Sequence, residues 1–124
     1  MPDASVPFDR QEQLKQIQDG LLPGEQVQAV FDCTGSGTGF VGVTNLRVIL
    51  QDKSFMGKNL AITSVPFRQV RSVSVVSNKS MMGGFFSSSS IAIDAGGIQQ
   101  VAEFRGHEKA RHIHNLVLAQ LIQN

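Results

Sequence analysis

Apolar positions along this 124-residue chain change period twice. Near the N-terminus, Leu14, Ile17 and Leu21 recur at helical spacing, with Arg10, Gln11, Lys15 and Gln18 on the other face. The spacing predicts a helix from Phe8 to Gly20, capped by Asp9 with Glu12 three residues on, as in a capping box. Residues 1–7, with two prolines, read as an unstructured lead, and Pro23-Gly24 as a turn. From Glu25 to Asp32 the period drops to two, imperfectly, through Val27, Ala29 and Phe31. Gly39 to Leu50 then reads as strand, tight turn, strand. Around Phe40 no alternation is visible, so the first of these strands should be covered on both faces. Thr44-Asn45 breaks the apolar run, and Asn suits a left-handed turn position.

Further strands are predicted at 60–65, stopped by Pro66, at 71–77, at 85–94 and at 98–104. Residues 67–70 form one helical turn, and Ala95-Gly96-Gly97 is a tight hairpin signal. After Gly106 the helical period returns. Ala110, Ile113, Val117 and Leu121 make one stripe, broadened by Leu116, Leu118 and Ile122. Helix, a run of short strands, then a closing helix is the pattern of a β-rich α+β domain, here a small β-barrel.

Composition narrows the function more than the fold. A chain 41% hydrophobic and 17% charged is ordinary for one soluble domain. Its net charge of +1 supplies no global field for nucleic acid. Tyr and Trp are absent, so stacking platforms would rest on the eight Phe. Cys33 is the single cysteine and cannot form an intrachain disulfide. Asp3 stands where a signal peptide needs a basic residue, so a cytoplasmic protein is the expectation.

Leu21-Leu22-Pro23-Gly24-Glu25, followed by Gly42-Val43-Thr44-Asn45-Leu46-Arg47-Val48-Ile49, resembles the bacterial pleckstrin-homology-like domains. Related GRAM modules share the glutamate before the first strand and the T-N-x-R turn. The resemblance covers residues 21–121. It implies a bent antiparallel barrel of about seven strands, plugged at one end by a C-terminal helix, with the N-terminal helix packed outside. On that footing residues 8–124 are a single PH-like domain. The turn residues have a plain structural reading: Thr44 and Asn45 build the turn, and Arg47 pairs with a carboxylate or backbone carbonyls.

Candidate chemistry is sparse. Gly35-Ser36-Gly37-Thr38-Gly39 lacks the following helix and the Gly-Lys-Ser/Thr ending of a phosphate loop. Eukaryotic relatives that bind phosphoinositides carry basic residues along the first hairpin, whereas residues 32–39 hold none. Lys53, Phe55, Met56 and Lys58 could graze an anionic bilayer, with at most about 2 kcal/mol from the two charges; a solvated loop with Phe55 tucked against the barrel is the favoured reading. Met81, Met82, Phe85 and Phe86 read either as a docking surface or as the start of a strand. His107, His112 and His114 lack chelating spacing, so no metal is expected. Cys33 reads as a small hydrophobe. No catalytic residue and no cofactor is expected. Leu116, Leu118 and Ile122 widen the last helix's stripe beyond what one barrel end needs, and such domains often form homo-oligomers. The leading expectation is a non-enzymatic binding or assembly module working through protein contacts, itself included. The second is a peripheral membrane binder using the 53–58 loop.

Overall fold

A computed structural model describes residues 6–34, 39–52, 61–78, 88–106 and 108–123. After an N-terminal strap the chain forms helix α1, Gln11–Asp19, and then seven strands: β1 Val27–Asp32, β2 Phe40–Thr44, β3 Arg47–Asp52, β4 Ala61–Pro66, β5 Val70–Asn78, β6 Ser88–Ala95 and β7 Ile98–Arg105. A 3-10 turn, Phe67–Gln69, joins β4 to β5, and helix α2, Glu108–Gln123, closes the chain. The strands form two antiparallel sheets, β1-β2-β3-β4 and β5-β6-β7, rather than one continuous barrel. One seam between the sheets is bridged by Thr34 N–H, just past β1, donating to the Glu103 carbonyl of β7 at 2.9 Å.

The main core lies between the sheets. Ala29, Phe31, Val41, Val43 and Val48 line the first sheet, Ile91, Ile93 and Phe104 the second, and Ala110, Ile113 and Val117 of α2 seal the end. Phe31 meets Phe104 edge-on at 6.5 Å, and Cys33 packs against this core as a small apolar group. Outside the first sheet sits a second cluster of Val30, Phe40, Ile49 and Ile17. Every residue of β2 is therefore buried, which is why Phe40–Thr44 shows no alternation. The imperfect alternation of β1 has a different cause. A bulge between Val27 and Ala29 sends Ala29 and Phe31 inward while Val27 and Val30 face α1.

Two local expectations need correction. Arg10, not Asp9, is the N-cap of α1, and it makes no side-chain cap bond. The Asp9 carboxylate instead accepts Asp32 N–H and Lys109 Nζ, each at 2.9 Å. No non-glycine residue has a positive φ among the described residues, Asn45 included. Asn45 serves the turn by pairing: its backbone N–H donates to the Gln26 carbonyl and its Oδ1 accepts Gln26 N–H at 2.7 Å. The hairpin at Gly96-Gly97 forms as expected, with φ of 63° and 86°, values that glycine adopts at no steric cost.

Candidate functional site

The T-N-x-R turn and the glutamate before β1 meet in one buried polar node. Glu25 has a side chain with no exposed surface, against 19% for Arg47. Arg47 donates in fork fashion, Nε to Glu25 Oε2 at 2.8 Å and Nη2 to Oε1 at 3.0 Å. Thr44 Oγ1 donates to Oε2 at 2.7 Å, and Leu22 N–H donates to Oε1 at 2.9 Å. Four donors saturate the carboxylate. Arg47 also donates through Nη1 to Ser64 Oγ at 2.9 Å and through Nη2 to the Gly20 carbonyl at 3.1 Å. Thr44 Oγ1 in turn accepts the N–H groups of Leu46 and Arg47, at 3.0 and 3.1 Å.

The Arg47 hydrogen bonds hold the Glu25 carboxyl down at about 2 from its ordinary 4.5; burial opposes the shift, while Leu22 and Thr44 reinforce it. A carboxylate so fully paired has no lone pair left for a substrate and no proton to give near neutral pH. The node ties the end of α1, the first hairpin and β4 together, which is the structural role expected for Arg47.

Beside the node lies a cavity of about 100 Å3, lined by Ile17, Phe40, Ile49 and Ile62 with Arg47 and Gln51 among its polar walls. Two open clefts of about 340 and 300 Å3 flank the strap at the start of α2. The first is bounded by Pro7, Phe31 and His112, the second by Asp9, Asp32, Thr34 and Arg105, and Lys109 lines both. The second cleft carries two acids and two bases, so it has no net charge with which to select an anion.

Of the expected interface residues, Leu116 packs against the main core. Leu118 and Ile122 do not: they are 37% and 74% exposed, one turn apart on α2. Lys53, Phe55, Met56 and Lys58, together with Met81, Met82, Phe85 and Phe86, lie outside the described residues, as does His107. His112 stands edge-on to Phe31 at 5.8 Å. Among the described residues no group of His, Cys, Asp and Glu is placed to hold a metal. No described helix is long and apolar enough to cross a membrane.

Sequence reasoning missed the polar ties between α1 and the sheet. Gln13 Nε2 donates to Asp32 Oδ1 at 2.8 Å, and Gln16 Nε2 donates to Gln51 Oε1 at 2.7 Å. Gln13 and Gln16 look like solvated helix residues in the sequence, and nothing local announces a partner 19 or 35 positions away.

No protein-family model matches the chain, and no curated protein matches it. Solved structures do. The pleckstrin homology domain from Shewanella amazonensis SB2B superimposes with a TM-score of 0.65 at 19% identity, over 92% of this chain and 99% of that one. The hSac2 domain from the human phosphoinositide phosphatase Sac2 gives 0.58 at 8% identity, over 93% of this chain and 85% of that one. With two antiparallel sheets of four and three strands closed at one end by α2, this chain has the pleckstrin-homology fold.

Proposed function

We propose that the chain is a non-enzymatic binding and assembly module that associates through protein contacts, its own copies included. The observation that carries this reading is the Leu118–Ile122 face of α2. The fold consumes Ala110, Ile113, Val117 and Leu116, yet leaves these two large apolar side chains in water next to the half-buried Leu121. An apolar strip continuous with the core and one helical turn long suits a partner helix or a second α2. The saturated Glu25 node offers no acid–base or nucleophilic group, and the PH fold most often serves as a binding scaffold.

The test is mass against concentration by sedimentation equilibrium, for the wild type and for Leu118→Glu/Ile122→Glu. A wild-type mass that rises with concentration, and falls to the monomer value in the double variant, supports the reading. A wild-type mass that stays monomeric throughout overturns self-association. Co-sedimentation with phosphatidylserine vesicles, lost in Lys53→Glu/Lys58→Glu, would replace this reading with a membrane one.

A further inference from the structure

We infer that the cavity between α1 and the outer face of the first sheet is a small-molecule site that takes a short, neutral, aliphatic amide. It is built from other elements than the α2 face and does not depend on that reading.

Strand register creates the space. Phe40 of β2 opposes Gln51 of β3, and Gln51 opposes Ile62 of β4, so the three side chains share the outward face. Ile49 and Ser64 form the next row. Helix α1 lays Ile17 against Phe40 and Ile49 but does not cover β4, where Ile62 is 58% exposed. What remains is the cavity of about 100 Å3, with Phe40, Ile49 and Ile17 inside and Ile62 at its lip. An apolar cavity of about 150 Å3 accepts a benzene, so this one has room for an aliphatic group of about four carbons.

The polar side of the cavity holds donors that lack acceptors. Gln51 lines it, is only 5% exposed, and accepts Gln16 Nε2 on its Oε1 at 2.7 Å. The amide N–H groups of Gln51 meet no acceptor among the described residues. A buried donor left in that state is costly unless something in the cavity answers it. Arg47, also on the lining, adds another. Of the five N–H groups of a guanidinium, two are spent on Glu25, one on Gly20 and one on Ser64, leaving one on Nη1. Alkyl walls beside spare donors call for a carbonyl oxygen next to a short chain.

Charge decides which carbonyl compound. Among the described residues lining the cavity, Arg47 alone is charged, and Glu25 already neutralises it. A carboxylate would lose its hydration here and find no net countercharge. An amide brings the same carbonyl oxygen without that cost. Its N–H can also donate to Gln16, whose own Oε1 is in no hydrogen bond among the described residues.

The test is a titration of the 15N-labelled full-length chain with isovaleramide, followed by 1H–15N spectra. Isovalerate controls for charge and acetamide for the chain. Isovaleramide should shift the Gln51 side-chain amide and the backbone amides of Ile49 and Ile62 saturably. The affinity should lie in the millimolar range, as so few non-hydrogen atoms allow. Isovalerate and acetamide should each bind about tenfold more weakly or worse. Gln51→Leu, which removes the donors and keeps the bulk, should weaken isovaleramide about tenfold. Ile62→Trp, an exposed change at the lip, should abolish the shifts and decides the matter should Gln51→Leu fail to fold. No saturable shift at these positions would overturn the inference. Equal affinity for all three probes would do so too, as would binding undiminished by Ile62→Trp. None of these outcomes bears on the mass measurement that tests the α2 face.

Discussion

Glu25 illustrates how one residue's chemistry is decided by its neighbours. In isolation it is an acid before a strand; in place it is a permanently charged bracket held by Arg47, Leu22 and Thr44. Its pKa of about 2, against 4.5 when exposed, makes the folded state bind the proton more weakly than the unfolded state. The resulting stabilisation, about 3 kcal/mol, is therefore complete above pH 4.5 and drains away as pH falls from 4.5 to 2. Glu25→Gln keeps the shape and loses the charge. Urea midpoints should place it about 3 kcal/mol below the wild type at pH 7, with the two curves converging as pH approaches 2. A gap that stays constant across that window would mean that the charge contributes nothing. A structural Arg47, paired with a carboxylate or with backbone carbonyls, was legible in the turn motif, and it does both, at Glu25 and at the Gly20 carbonyl. The work of Asn45 was not. Its residue type is that of a left-handed turn, and the same side chain satisfies Gln26 N–H just as well once β1 is bulged beside it.

At the scale of elements, α1 is where sequence and structure diverge most usefully. The stripe of Leu14, Ile17 and Leu21 correctly announces a helix and its buried side. Its start was misplaced because Asp9 has two possible employers, the helix N-terminus and the β1 edge, and only the tertiary structure decides between them. Gly42 carried a signal that the reading of the sequence passed over. A glycine in the centre of a buried strand signals close approach by another element, and Ile17 is what approaches. Gly42→Ala should force Ile17 outward and cost about 1–2 kcal/mol. Because the clash is with the tip of one side chain, Ile17→Ala should cost less in the Gly42→Ala background than in the wild type. A double-mutant cycle on urea midpoints measures that difference. Strict additivity would mean that the two positions do not meet.

Taken whole, the molecule has two hydrophobic regions of unequal standing. The larger joins both sheets and α2, and the smaller fastens α1 to the outside of the first sheet. The strands and the closing helix were readable from period and turn residues. The division into two sheets was not, because it depends on which distant edges pair, and strand pattern carries no record of that. The unequal regions predict unequal cooperativity. Phe104 is fully buried where the sheets meet, in edge contact with Phe31. Phe104→Ala should cost about 4 kcal/mol and lower the exchange protection of α2, β2 and β6 amides together. Ile17→Ala removes the anchor of the smaller region alone. Native-state hydrogen exchange should then show Leu14 and Gln18 amides opening by a path that leaves Ile91 and Ile93 protected. If Ile17→Ala lowered the protection of β6 as much as that of α1, the chain would be a single cooperative unit. The outer helix would then be as integral to the fold as the core strands.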